Sequence, residues 1–297
     1  MAHTVVPAAE EILDHEYRVL DKGFVRLVDY MGGDARIVQS ARVSYGEGTK
    51  TYRQDAALID YLLRNEHTSP FEQVVLTFHA KMPLFVARQW VRHRTARLNE
   101  ISGRYSVMKD EFYVPAGEDI ALQSMDNKQG RSDEPIPVEH QERIREQLGA
   151  GQADAYSSYS NLLNSGIARE LARINLPLSL YTEWYWQIDL HNLFRFVKLR
   201  TDVHAQKEIR DYAVTMFSIA KKVCPAACES FERHLLGAVR FSADELAALR
   251  SMIERVPQAP GGAADLDTRA RAAAEAAGIT GKSIDRFVAK VSRGHQL

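Results

Sequence analysis

The sequence predicts an α+β fold, an antiparallel or mixed sheet flanked by long helices, and two patterns carry that prediction. Val74, Leu76, Phe78, Ala80 and Met82 alternate with Val75, Thr77, His79 and Lys81, which is the period-2 signature of a strand with one apolar face. Apolar residues recur at helical spacing elsewhere, as Leu58, Ile59, Leu62 and Leu63, as Leu190, Leu193, Phe194 and Val197, and from Ile209 through Tyr212, Ala213, Met216 and Ile219 to Val223. At 297 residues and 45% hydrophobic content the chain has ample material for a packed core, in one large domain or two.

Taken in order, residues 1–22 read as an irregular lead-in with a short helix near Ala8–Asp14. Phe24–Tyr30 has the β-branched and aromatic content of a strand, Gly32-Gly33 ends it, and Asp34 is placed to cap a helix reaching about Arg42. A helix is expected over residues 53–65 and the alternating strand over Val74–Met82. Pro83 then opens a helix, Leu84–Arg92, whose C-terminal end carries Gln89 and Arg92 three apart on one face. Phe112–Pro115 reads as a short strand, and residues 116–135 as an exposed loop and a candidate lid.

A long helix follows over Glu139–Asn164, with an interruption at Gly149-Ala150-Gly151 as the open alternative. Gly166 separates it from a helix bearing Arg169 and Arg173. Leu178–Ile188, with Tyr181, Trp184, Tyr185 and Trp186, reads as a buried strand. Asp189 stands where an N-cap would, ahead of a helix to Arg200 that sets a cationic stripe (His191, Arg195, Lys198) beside its packing stripe. Another long helix ends at Val223, and Pro225 starts a shorter one ending near Gly237. Residues 257–280 are rich in Ala, Gly and Pro, and Ser283–Arg293 reads as a final helix.

Charge is concentrated in one stretch. Between Gln89 and Tyr105, Arg92, Arg94, Arg97 and Arg104, with His93, face a single acid, Glu100, in a chain whose net charge is -1. A guanidinium is a planar fork that matches phosphate oxygens two at a time, and Ser102-Gly103 adds a hydroxyl and accessible backbone N–H groups. Trp90 and Val91 run straight into the basic triplet, so it emerges from packed structure. A solvated surface loop is the plain alternative. A nucleotide- or RNA-binding module with Trp90 and Tyr105 as stacking surfaces is a second one, although the near-neutral balance argues against a general nucleic-acid binder.

Other classes are argued against more directly. No Gly-x-x-x-x-Gly-Lys loop or magnesium-type acidic cluster is present for phosphoryl transfer, and no Gly-x-Gly-x-x-Gly for a Rossmann-type site. Cys224 and Cys228 flank Pro225 without His or Cys partners, so no metal site is expected. No run approaches 18 apolar residues and the N-terminus lacks a secretory pattern, so a cytoplasmic location without membrane association is expected.

The residues of this stretch carry a likeness. Arg92-His93-Arg94, seven residues, then Ser102, flanked by Asn99-Glu100 and Gly103-Arg104-Tyr105, resembles the signature of the flavin-dependent thymidylate synthases. It continues through His67-Thr68-Ser69-Pro70-Phe71-Glu72, Ala172-Arg173-Ile174, Leu176-Pro177, Leu199-Arg200 and His204-Ala205-Gln206, over roughly residues 20–236. The resemblance implies that family's fold, with a lead-in at 1–22, a catalytic domain at 23–236 and a C-terminal extension of undetermined role at 237–297.

It further implies reductive methylation of dUMP to dTMP, with 5,10-methylenetetrahydrofolate as carbon donor, NADPH reducing FAD, and shared active sites in a homotetramer. Gln89, Trp90, Val91, Arg92, Glu100, Ile101, Ser102, Gly103 and Arg104 would hold dUMP, with Arg173 closing the phosphate site from another subunit. FAD would be held by His67, Ser69, Glu72, Arg92, His93, Arg94, Glu100, Asp189, His191, Arg195 and His204, and His204 with Gln206 would support Arg200. Asp189 and Arg195 depart from the family's commoner residues, which bears on flavin contacts. Carbon C5 of uracil must be made nucleophilic, and neither cysteine has the positive, accessible setting of a thiolate. A fixed guanidinium beside the pyrimidine is the other route, and Arg200 matches the family's activating arginine. By itself Arg200 also reads as a helix C-terminal arginine satisfying carbonyls.

Overall fold

The computed structural model describes residues 4–43, 52–125, 130–132, 134–243, 246, 249 and 266–293. The chain divides into two units, Met1–Gly237 and Ala238–Leu297. The first is an α+β layer structure whose sheet is wholly antiparallel: β1 (Tyr17–Val19), β2 (Gly23–Met31), β3 (Val75–Pro83), β4 (Arg97–Glu100) and β5 (Tyr181–Asp189), in the order β1-β2-β3-β5-β4. The alternation in β3 sorts as expected. Leu76, Phe78, Ala80 and Met82 are fully buried, and the register opposite β5 places Phe78 against Trp186 and Ala80 against Trp184, the centre of the core. The other face is polar. There Arg26 donates to His79 Nδ1 at 3.0 Å, and Tyr185 stacks on the His79 ring.

Most of the helices cover the apolar face. In chain order the helices are α1 (Pro7–Glu10), α2 (Asp34–Ala41), α3 (Tyr52–Arg64), α4 (Leu84–Trp90), α5 (Val138–Asn164), α6 (Arg169–Ala172), α7 (Leu190–Arg200), α8 (Lys207–Val223) and α9 (Pro225–Phe231), the last running into a π turn at Glu232–Leu236. Helices α5 and α6 instead pack in a second cluster with Met108, Phe112 and Leu180. Helix α5 is uninterrupted at Gly149-Ala150-Gly151. The two glycines cost about 1 kcal/mol each in propensity. They are outweighed by anchors further along: Tyr159 OH accepts from Met108 N at 2.9 Å, and Gln152 Nε2 donates to Tyr113 O at 2.9 Å. Gly166, at φ +78°, ends α5, and Ile167 N reaches back to Leu162 O.

The structure corrects several expectations. Asp34 does not cap its own helix, whose N-cap is Gly33. Its carboxylate instead accepts from Ala226 N at 2.8 Å and Ala227 N at 3.0 Å, capping α9, while burial raises its pKa. Phe112–Pro115 is not a strand; Phe112 makes a single bridge to Leu180. Helix α4 stops at Trp90, so Arg92 lies beyond it, and β1 and β4 are strands where none was expected.

The 116–135 segment is pinned where it is described; residues 126–129 and 133 lie outside the described residues. Arg131 pairs with the buried carboxylate of Glu208 at the start of α8, which also accepts from Tyr113 OH at 3.1 Å, and Lys207 lies 3.3 Å from Asp119. Arg131 holds Glu208 below the usual carboxylate range although burial pushes the other way. Arg131→Met is therefore expected to cost about 2–3 kcal/mol, less than for a fully buried pair because Arg131 is partly exposed. Native Glu208 contributes stability above its unfolded pKa and loses it as pH falls through the folded one. Without Arg131 desolvation dominates and that sign reverses, so urea titrations should show the variant's deficit shrinking as the pH is lowered.

The second unit contains α10 (Leu266–Ala276) and α11 (Lys282–Arg293), a hairpin around Ala270, Ala274, Ile284, Val288 and Val291. The final helix was expected; α10 falls in the Ala-rich stretch whose composition obscures its period.

Candidate active site

The site starts from an aromatic anchor. Trp90, the last residue of α4, is fully buried, with edge-on contacts to Trp184 and Trp186 at 5.3 Å and a tilted contact to Phe196 at 5.1 Å. His93 N donates back to Trp90 O at 3.0 Å, so Arg92, His93 and Arg94 form a turn hung on a rigid hub. The expectation that Trp90 touches a nucleotide, or stacks on a base, is corrected for its side chain: an indole with no exposed surface has none to offer a ligand.

Helix α7 delivers the second half. Asp189 is its N-cap as expected, accepting from Asn192 N at 2.9 Å and from Asn192 Nδ2 at 2.8 Å. At the other end, Arg200 Nε donates to His93 Nε2 at 3.1 Å and Arg200 Nη2 to Gln89 O at 2.9 Å. Burial, with Arg200 and Arg195 nearby, lowers the His93 pKa to about 4, so its imidazole is neutral at physiological pH. Burial also pulls Arg200 below its ordinary value, but a guanidinium starts so high that it stays charged. Gln206 supports this corner indirectly, through a hydrogen bond with the Gln89 side chain. His204 does not support Arg200. It is largely exposed, pairs with Asp202 at 2.7 Å, and lines a separate polar cavity of about 740 Å³ with Arg131 and Lys207.

Beside Arg200 lies a cavity of about 280 Å³ lined by Arg92, His93, Arg94, Thr95, Asn192 and Arg195, with Ile188 and Leu199 as apolar walls. Among the described residues, the side chains of Arg92, Arg94 and Arg195 make no ion pair or hydrogen bond. Three guanidinium groups around one recess concentrate positive charge there and mark a place for an anion. His191 stands on α7 outside this lining. His67, Ser69 and Glu72 are exposed on the turn before β3, which packs on α7 through Phe71 and Phe194; none of the three lines the cavity. Thr95 and Asn192 were missed, although Asn192 sits three residues before Arg195 on the cationic stripe and that spacing points to it.

A second group forms around the turn after β4. Ile101 N donates to Glu183 O at 2.9 Å, and Glu100 accepts from the buried Thr182 hydroxyl at 2.6 Å. Ser102 Oγ accepts from Arg104 N at 3.3 Å. Gly103 is buried against Arg173: a Cβ there would lie 3.1 Å from the Arg173 guanidinium and 2.9 Å from Met108 Sδ. Arg173 and the Ser102–Arg104 turn therefore come together within one chain. Arg104 pairs with Glu170 at 3.0 Å, both exposed. Val91 and Ile101 are also exposed. Among the described residues no hydrogen bond or ion pair joins this group to the Arg200 group.

No group of three His, Cys, Asp or Glu among the described residues could hold a metal, and no described helix is long and apolar enough to cross a membrane. Cys224 and Cys228 are fully buried and burial raises both thiols well above their usual value.

Fold and site together define an α+β protein that presents unpaired guanidinium groups to an anionic ligand beside an apolar wall. Comparison with known proteins makes this specific. Residues 26–226 match the family described as thymidylate synthase complementing protein, and residues 239–297 match the thymidylate synthase ThyX C-terminal domain. The chain is 64% identical over 285 residues to the flavin-dependent thymidylate synthase of Treponema denticola, covering 96% of this chain and all of that one. It is 57% identical to the Thermus thermophilus flavin-dependent thymidylate synthase over 79% of this chain and 85% of that one. Among solved structures, a UMP/dUMP methylase from Streptomyces cacaoi, crystallised with 5-Br UMP, superposes with a TM-score of 0.66 at 31% identity, over 74% of this chain and 96% of that one. The chain belongs to the flavin-dependent thymidylate synthase family. The likeness read from motifs ends near residue 236, and the second family description extends it through the C-terminal unit.

Proposed function

We propose that the protein converts dUMP to dTMP by reductive methylation at C5, with flavin supplied as FAD, reduced by NADPH, and 5,10-methylenetetrahydrofolate as carbon donor. Relatives at high identity carry the flavin-dependent thymidylate synthase name, and solved relatives bind uridine nucleotides. The observation on this chain that carries the reading is the pairing of a fixed, charged Arg200 with the burial of both cysteines. A thiol with no access and a raised pKa cannot add to C6 of uracil. A preorganised guanidinium can instead stabilise negative charge spread from N3 to a carbonyl oxygen, which raises electron density at C5.

The residues fit a flavin. Arg92, Arg94 and Arg195 suit its phosphates, and Ile188 with Leu199 suits a flat apolar ring. When bound, FAD supplies the hydride that completes the methyl group. At about 280 Å³ the cavity takes part of a dinucleotide, not the whole, so the rest of FAD lies against surface that a second copy would cover. Leu98, Ile101, Tyr105, Leu171 and Ile174 are exposed apolar side chains around the Ser102–Arg104 turn, suited to such an interface. A homotetramer brings the Arg200 group of one chain to the Ser102, Arg104 and Arg173 group of another, completing the dUMP site. Glu100, His67, Ser69, Glu72, Asp189, His191 and His204 enter this reading as the contacts to be tested. A cytoplasmic location belongs to the same reading, because phosphorylated substrates are retained there.

The visible spectrum tests it. Purified protein, with FAD added if necessary, is expected to be yellow with oxidised-flavin absorbance, to bleach with NADPH in the absence of oxygen, and to form dTMP when dUMP and methylenetetrahydrofolate follow. Failure to bind FAD at any concentration would overturn the proposal.

A further inference from the structure

We propose that His93 is the positioning residue for Arg200: its imidazole accepts the Arg200 Nε–H and so aims the remaining edge of the guanidinium at the pyrimidine of bound dUMP. The inference rests on the role given to Arg200 above.

A helix-terminal arginine commonly turns back on its own helix carbonyls, yet Arg200 does not. It crosses from α7 to the end of α4, using Nε on His93 and Nη2 on the Gln89 carbonyl, one of the orphan acceptors a helix leaves at its C-terminus. A guanidinium has five N–H groups. With two engaged on one edge, Nη1 and the second Nη2 hydrogen have no partner among the described residues, and their direction is set by the first two bonds. Arg92, Arg94 and Arg195 line the neighbouring recess with His93, so the imidazole is the group that stands between them and Arg200. His93 is suited to hold it for two reasons. Its ring is fixed edge-on against Phe196 at 4.9 Å, and Phe196 leans on Trp90, so the acceptor nitrogen is set by the core. Burial first, and then the nearby Arg200 and Arg195, keep the ring neutral; an imidazolium would lose the lone pair that the bond needs. The bond places the imidazole proton on Nδ1 and commits Nε2 to Arg200, whatever else the ring touches.

Two substitutions separate the roles. His93→Leu removes the acceptor with little change in bulk, and His93→Gln returns an acceptor at the Nε2 position. We expect His93→Leu, assayed at saturating FAD, to lower kcat for dTMP formation about 10- to 100-fold, with KM for dUMP within about threefold of the native value. His93→Gln should recover most of kcat. In crystals of His93→Leu the Arg200 guanidinium should leave its native place, and in His93→Gln it should return. Native kcat in His93→Leu, an unmoved Arg200, or equal loss of flavin in both variants would each overturn the inference. The crystallographic result needs no turnover. If native protein makes no dTMP but Arg200 moves in His93→Leu, the functional reading fails while the positioning stands.

Discussion

Arg200→Ala is expected to bind flavin as the native protein does and to lose dTMP formation by about 100- to 1000-fold in kcat, the usual effect of removing one preorganised charge from a developing anion. The structure separates the two properties. The recess beside Arg200 is lined by Arg92, Arg94 and Arg195, all independent of the Arg200 side chain, so cofactor affinity has its own support. Arg200→Lys is the sharper variant. It keeps the charge but has no Nε–H fork, so it cannot donate to His93 Nε2 and Gln89 O together in the native geometry. Its kcat should fall between those of the native and alanine forms. Measured flavin content, KM for dUMP and kcat check the prediction, and full turnover by Arg200→Ala would remove Arg200 from the mechanism.

Trp90→Ala should destabilise the fold by about 3–5 kcal/mol, the range for deleting a large aromatic from a packed core. That is a sizeable part of the 5–15 kcal/mol that holds a typical domain together. The indole touches Trp184, Trp186, Phe196 and Tyr212 at once, so its removal leaves a cavity that four rings cannot all close. Its Nε1–H has no hydrogen-bond partner, so Trp90→Phe discards no bond and should cost much less. Urea titrations of both variants test this. Because Phe196 is the surface on which His93 rests, Trp90→Ala should also lower kcat in the fraction that remains folded.

How much could be read in advance follows from how local each signal is. The β3 alternation, the stripes of α7 and α8 and the cap at Asp189 depend on neighbours in sequence, and each stands in the structure. The basic stretch was legible as a charge concentration, but not as two separate groups with a four-residue edge strand between them. β4 has no burial pattern to announce it, since all four of its residues are exposed, and it exists because β5 offers it an edge. Trp90 beside Arg92 looked like part of a ligand surface; only the register that brings Trp184 and Trp186 beneath it shows it to be core. The resemblance implies support for Arg200 from His204 and Gln206, near in sequence, whereas its side-chain partner is His93, 107 residues away. Short-range pattern cannot supply such a contact.

The carboxylate of Asp34 sits on the first N–H groups of α9, 192 and 193 residues further along. A bond that spans so much chain makes completion of the catalytic unit a late event in synthesis. A nascent polypeptide that has reached Arg200 holds every arginine of the site, yet the α9 amides that Asp34 must meet have not been made. The cap that joins α9 to the start of α2 therefore forms only when translation has nearly reached the C-terminal unit.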